Sequence, residues 1–260
     1  MTSEAVPGTG RSEVPREVRR HLALALDCSS LRAAQELLGS LGGCFGVGKV
    51  GLELFSAAGP AAWAMVAGAG LGVFADLKLH DIPATVRAAA RVAARGGADL
   101  LTVHLAGGPD MVAAAVAGFA EGAAERPRDA DRCWEGPRGI LGVTVLTSEA
   151  AADPAVLGER ARLAEAVGCV GVVCAAADQP LLDQVAPRLL RVVPGIRLPG
   201  APRHDQARVA GPEEALAGGA ALLVVGRAVT GASRPLAAAS AVVAAAARAL
   251  AGGPPAPGPG

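Results

Sequence analysis

The sequence predicts one α/β domain folded as a (β/α)8 barrel, a TIM barrel. Three observations carry this. Eight short apolar runs alternate with segments of helical periodicity, as expected of parallel strands buried on both faces. The chain has 260 residues, a length that suits one such barrel. Polar residues gather at the carboxyl ends of the apolar runs, the rim on which such barrels carry their sites. A doubly wound open sheet is the competing arrangement.

Residues 1–20 are polar and read as a flexible tail ending in a charged turn, without the apolar core of a signal peptide. His21 to Asp27 is the first strand. Leu31 to Leu41 places its leucines at helical spacing, with Ser29 or Ser30 as cap. Phe45 to Gly51 is strand two, and a helix follows from about Ser56 to Ala69. Strand three starts at Gly72, and Ile82 to Arg95 is helical. Leu100 to Leu105 is strand four, followed by a helix from Pro109 to Glu125. A polar loop from Arg126 to Arg138 leads into strand five, Gly139 to Leu146. Then come a helix from Pro154 to Val167, strand six from Val170 to Ala175 and a short helix capped by Asp178. Strand seven runs from Leu189 to Ile196, a helix from Pro212 to Ala217, and strand eight from Leu222 to Val229. Pro235 opens the last helix. Residues 21–250 thus form the barrel, and the Pro/Gly-rich residues 251–260 read as a disordered tail.

Lys plus Arg and Asp plus Glu each number 24. A zero net charge gives no general pull toward nucleic acid or an anionic membrane. The five cysteines are odd in number and show no Cys-x-x-Cys spacing, which fits a reduced, cytoplasmic protein. The Ala-rich stretch from Leu236 to Ala251 is short and carries Arg248, so it reads as a surface-packed helix rather than a membrane span.

The stretch from Gly72 to Val86 concentrates the chemistry. Asp76 and Lys78 share a strand face and Leu77 takes the other. Asp81 precedes Ile82-Pro83, where a helix begins, and Asp is a favoured N-cap. An ion pair plus a helix cap is one reading; a charged catalytic array is the other. The rim pattern favours the second. Asp27, Lys49, His104, Thr144, Thr147, Ser148, Arg197 and Arg227 also fall at or just beyond strand ends. The loops after strands seven and eight carry Gly195, Arg197, Gly226 and Arg227. In such barrels these loops often hold a phosphate, to which Arg makes bidentate charged hydrogen bonds. His80 reads as structural; His104 either touches ligand or packs. His21 and His204 read as solvated, and four scattered histidines make no metal site.

From Leu22 to Val229 the chain resembles the orotidine 5'-monophosphate decarboxylase family. The resemblance rests on Ala25-Leu-Asp27, Lys49-Val-Gly51, Asp76-Leu-Lys-Leu-His-Asp-Ile-Pro83 with Thr85, and Val143-Thr-Val-Leu-Thr-Ser148. It continues through Gly171-Val-Val-Cys174, Pro194-Gly-Ile-Arg197, Asp205-Gln206 and Val225-Gly-Arg227. It implies a homodimer that converts orotidine 5'-monophosphate to UMP and CO2 in pyrimidine biosynthesis without a cofactor. It implies Lys78 as proton donor to C6, Asp76 against the substrate carboxylate, and Lys49 completing an alternating array. Asp81 and Thr85 would reach the neighbouring subunit's site, Asp27 the ribose and Thr147 the pyrimidine edge. Arg197, Gln206, Gly226 and Arg227 would hold the phosphate. The implied binding set spans the whole run from Asp76 to Thr85, and so includes Leu77, Leu79, His80, Ile82, Pro83 and Ala84. Ala84 stands where many members have Asn, and the loop from Leu198 to His204 carries Pro199 and Pro202. A metal-dependent sugar-phosphate decarboxylase or aldolase, and a non-catalytic phosphate-binding barrel, are the competing functions.

Overall fold

Strand residues that alternate between two apolar environments close this chain into a barrel. A computed structural model describes residues 14–126, 134–145, 153–198 and 208–252. The eight strands are β1 (Leu22–Ala25), β2 (Val47–Gly51), β3 (Gly72–Leu79), β4 (Leu100–His104), β5 (Gly139–Val143), β6 (Gly171–Val173), β7 (Leu190–Val193) and β8 (Leu222–Val225). Each pairs in parallel with its neighbours, and β8 returns to β1. Ala23, Ala25, Val47, Phe74, Leu100, Leu141, Val192, Leu222 and Val224 fill the barrel interior. The alternate residues, such as Leu24, Val73, Leu101 and Leu223, belong to the larger core under the helices. Burial on both faces is why these strands read as unbroken apolar runs.

The helices are α1 (Arg16–Arg19), α2 (Leu31–Leu41), α3 (Leu52–Ala58), α4 (Ala61–Gly68), α5 (Pro83–Arg95) and α6 (Gly108–Ala124). They continue with α7 (Pro154–Val167), α8 (Gln179–Val185), α9 (Pro212–Ala217), α10 (Arg227–Thr230) and α11 (Pro235–Ala251). Several boundaries differ from the sequence expectation. The end of the N-terminal tail is structured: α1 forms there, and Arg19 Nε donates to Phe45 O at 3.1 Å. The single helix expected at 56–69 is two, broken at Gly59, whose φ of 57° suits glycine and ends α3. Strand eight stops at Val225; after Gly226 the chain turns into α10, so Arg227 opens a helical turn instead of ending a strand. Asp178 occupies the N-cap position of α8 as expected, without a side-chain cap bond to that helix. Its carboxylate accepts from Ala175 N at 3.0 Å and from Arg208 Nη1 at 2.7 Å. His21 is half-buried, not solvated, and its Nδ1 donates to Ala221 O at 2.9 Å. Ser30 caps α2 through the Ala33 N–H.

The loop before β5 is more than polar surface. Trp134 is buried at the amino end of the barrel, where a Cβ on Gly72 would come within 2.4 Å of it. Beside it, Asp99 accepts from Val73 N at 2.8 Å and pairs with Arg126 and Arg138 at 3.3 and 3.1 Å. This end therefore carries a charge cluster that the sequence pattern did not show, satisfied by its own members.

The Ala-rich α11 buries Ala239, Val242, Ala245 and Ala246, and no described helix is long and apolar enough to cross a membrane. Among the described residues, Cys28, Cys44, Cys169 and Cys174 form no disulfide. Burial pushes the last two up to about 12, as expected of cysteines that act as small hydrophobes.

Helices α5 and α6 pack at close range. A Cβ on Gly118 would lie 2.2 Å from Arg87 O, and one on Gly122 would lie 2.0 Å from Arg91 O. Arg87–Glu121 and Arg91–Glu125 ion pairs flank this contact. Because the obstacle is backbone, Gly122→Ala must force the helices apart. We expect it to cost about 1–3 kcal/mol, read as a lowered urea midpoint, while Arg91→Ala on the exposed face costs under about 1 kcal/mol.

Candidate active site

Strand β3 has eight residues, the longest in the barrel, and its last half rises out of the core: Gly72 to Ala75 are buried, Asp76 to Leu79 only half so. Its ladder with β4 is irregular. Ala75 pairs with Leu101 and Leu79 with Val103, so three β3 residues face Thr102 alone. A bulge with two extra residues preserves the strand's period of two. Leu77 and Leu79 accordingly pack on the outer core, while Asp76 and Lys78 line the cavity. Lys78 is the one described non-glycine residue with positive φ, at 50°, a left-handed conformation that costs about 1–2 kcal/mol.

Four charges follow one another at the rim. Asp27 Oδ1 lies 3.1 Å from Lys49 Nζ, Lys49 Nζ 3.4 Å from Asp76 Oδ2, and Asp76 Oδ1 2.8 Å from Lys78 Nζ. Thr102 Oγ1 also donates to Asp76 Oδ1, at 3.0 Å, and accepts from Lys78 N at 2.8 Å. Gly51 leaves room for the first pair: a Cβ there would sit 3.2 Å from both Asp27 Oδ1 and Lys49 Nζ. Burial alone would raise the Asp76 pKa, but the Lys49 and Lys78 ammoniums and the two hydrogen bonds hold it below the ordinary carboxylate value. Burial likewise pulls Lys49 down, and Asp76 and Asp27 more than offset this, so it lies above the ordinary lysine value. The four groups are thus paired in sequence, and the two in the middle, Lys49 and Asp76, are held in their charged forms.

These residues line a cavity of about 180 Å³ together with Arg197, Gly226 and Arg227. Its remaining wall is largely apolar, with Val143, Val145, Val173 and Pro194. Gly226 is a neighbour of Asp27, since a Cβ on it would come within 3.9 Å of the carboxylate. Arg197 is buried, and its Nη1 donates to Ile196 O at 2.9 Å. Below it the Arg197 N–H donates to Ala210 O at 2.9 Å, tying the two ends of the loop after β7.

The remaining expected residues lie elsewhere. His80, Asp81, Ile82, Pro83, Ala84 and Thr85 are exposed on the rim and do not line the cavity. Asp81 Oδ1 accepts from the adjacent Ile82 N–H at 2.6 Å, and α5 has Ile82, without a side-chain bond, as its N-cap. The helix-cap reading of Asp81 is therefore corrected: Pro83 begins the helix, and the carboxylate turns to its own neighbour. The His80 and His104 rings stand 5.5 Å apart. Burial, with His80 and Lys78 nearby, holds His104 below the ordinary histidine value. Thr147 and Gln206 lie outside the described residues, as does His204. The sequence pattern assigns no such role to Thr102 or Gly51; for Thr102 the available signal is a hydroxyl inside the apolar run Leu100-Leu-Thr-Val-His104.

The family model described as "Orotidine 5'-phosphate decarboxylase / HUMPS family" matches residues 20–242. An orotidine 5'-phosphate decarboxylase of Anaeromyxobacter sp. (strain K) is 46% identical over 217 residues, covering 79% of this chain and 89% of that protein. One from Cutibacterium acnes is 43% identical over 219 residues, covering 80% and 88%. The crystal structure of orotidine 5'-phosphate decarboxylase from Lactobacillus acidophilus superposes with a TM-score of 0.71 at 31% identity, covering 86% of this chain and 97% of that one.

Proposed function

The chain belongs to the orotidine 5'-phosphate decarboxylase / HUMPS family, and we propose that it converts orotidine 5'-monophosphate to UMP and CO2. The observation that carries this is the unbroken row Asp27–Lys49–Asp76–Lys78 on one wall of a cavity whose rim also holds Arg197 and Arg227.

Loss of CO2 breaks the bond from C6 to the carboxylate and leaves the electron pair on C6, with no adjacent carbonyl or imine to absorb it. The site must stabilise that charge electrostatically. An ammonium fixed beside C6 does so and then donates its proton. In this reading Lys78 Nζ is that group, and its partly exposed side chain can regain a proton from water. Asp76 holds the ammonium in place and faces the substrate carboxylate. Two like charges about 4 Å apart repel by about 4 kcal/mol at an effective dielectric of 20, against the roughly 8–23 kcal/mol that enzymes supply. Repulsion is thus a minor share. Stabilisation by Lys78 ranks first, and binding energy from the distant phosphate, which keeps the carboxylate positioned, ranks second. Asp27 contacts the ribose and Thr147 the pyrimidine edge; Arg197, Gln206, Gly226 and Arg227 hold the phosphate.

Metal-assisted sugar-phosphate chemistry is less well supported. The Lys49 ammonium already stands between the Asp27 and Asp76 carboxylates, where a divalent cation would meet a like charge. The deciding experiment is loss of orotidine 5'-monophosphate absorbance with and without chelator. Turnover that survives chelator supports the proposal; turnover abolished by it, or UMP binding without turnover, overturns it. Arg227→Ala should weaken UMP by about 2–4 kcal/mol in binding free energy while leaving uridine nearly unchanged, read by calorimetry. Equal losses for both ligands would remove the phosphate role.

The proposal includes a homodimer. Asp81 and Thr85 are exposed on the rim beside Ile82, which is 66% exposed, and Leu52 at the start of α3 is also exposed. Exposed apolar side chains of this size suit a covered surface, and a partner there would receive Asp81 and Thr85 at its own site. Mixing inactive Lys78→Ala and Asp81→Ala subunits should then restore about a quarter of wild-type activity per mixed population; no recovery despite verified exchange would place each site within one chain. The odd cysteine count without Cys-x-x-Cys spacing fits a cytoplasmic location.

A further inference from the structure

In the bulge of β3 a backbone N–H donates to a side chain of the neighbouring strand. Between the Ala75–Leu101 and Leu79–Val103 pairs, β4 offers only Thr102 to Asp76, Leu77 and Lys78. The Lys78 N–H, in a residue with φ of 50°, donates to the Thr102 hydroxyl at 2.8 Å. That hydroxyl donates in turn to Asp76 Oδ1 at 3.0 Å, the same oxygen that accepts Lys78 Nζ. The direction of both bonds is forced. A backbone N–H only donates, an ionised carboxylate only accepts, and a hydroxyl can do both at once. Thr102 is fully buried, so its hydroxyl is itself out of reach of solvent.

We infer that Thr102 is a positioning residue for the reaction, holding Lys78 at both its backbone and, through Asp76, its ammonium. The inference rests on the proposed decarboxylation. One side chain thereby links a strained backbone to the orientation of the proposed acid. Without the hydroxyl, the part-buried Lys78 N–H loses this partner, and the backbone is released from the left-handed region. The ammonium then moves relative to a substrate held independently by its phosphate. A displacement near 1 Å in such a group costs about 100-fold in rate. A merely structural Thr would instead act through its shape, which Val reproduces.

The test uses Thr102→Val and Thr102→Ser in the full chain. Thr102→Val should lower kcat about 100-fold while KM and UMP affinity stay within about threefold. Thr102→Ser, which keeps the hydroxyl, should hold kcat within about fivefold of wild type. A crystal structure of Thr102→Val should show Lys78 out of positive φ or the Asp76 carboxylate rotated. If Thr102→Val does not fold, Thr102→Ala removes the same hydroxyl without added bulk and replaces it in every measurement. Wild-type kcat in the hydroxyl-free variant overturns the inference. So does a Thr102→Ser loss equal to that of Thr102→Val, or an unchanged Lys78–Asp76 geometry without the hydroxyl. Should the wild type itself fail to turn over orotidine 5'-monophosphate, the functional reading fails, and the crystal structure still decides the positioning role.

Discussion

Lys78→Ala should lower turnover by about 10⁴-fold or more and leave UMP binding close to that of the wild type. The size follows from two losses at one atom. General acid catalysis contributes about 10²–10⁴, and a fixed donor aimed at developing charge about 10²–10³. Both depend on the ammonium 2.8 Å from Asp76 Oδ1. Product carries no charge at C6, so little of its affinity depends on Lys78, and the phosphate residues are untouched. The variant should fold, because Asp76 retains Lys49 and Thr102 as partners. Single-turnover assays and UMP calorimetry read the two halves separately. Near-normal turnover in this variant would refute the assigned role, and an equal loss of UMP binding would move Lys78 from chemistry to ligand binding.

Asp76→Asn should cost about 3–5 kcal/mol of stability, a larger effect than any surface substitution. The carboxylate stands between two ammoniums, and Lys49 is 10% exposed. Removing its charge leaves Lys49 with Asp27 alone, and Asp27 is largely in solvent. The same pairing sets a pH dependence. The Asp76 pKa is depressed below its ordinary 3.8, so its contribution is complete above that value and is lost as pH falls through the lower, folded one. The Lys49 pKa is raised above its ordinary 10.5, so its contribution is complete below that value and is lost as pH rises through the higher one. Stability from the pair should therefore be flat between about pH 4 and pH 10. Urea unfolding from pH 2 to pH 5 should show a smaller acid loss in Asp76→Asn than in wild type. Identical acid slopes would assign that loss to other carboxylates.

Much of this architecture was legible along the chain because its causes are local. Strands buried on both faces must be apolar throughout, so eight such runs separated by helical segments specify a parallel barrel, and their carboxyl ends specify one rim. The period of two placed Asp76 and Lys78 together and turned Leu77 away. It held through the bulge because two extra residues, unlike one, leave the phase unchanged. Boundaries were less legible where turn chemistry competes with apolar pattern. Val225 to Val229 reads as a strand by composition, yet Gly226 turns the chain into α10.

What the sequence by itself determined was thus the strand order, the face each residue takes and the charge types at the rim. Tertiary structure alone decided which of those charges touch. Asp27, Lys49, Asp76 and Thr102 come from four strands or their ends and meet only because barrel closure brings those ends to one edge. No local rule pairs Thr102 with residues more than twenty positions earlier, nor assigns Lys78 a left-handed backbone that costs energy in isolation. Both follow from the mismatch in length between β3 and β4, a property of two strands in register rather than of either one.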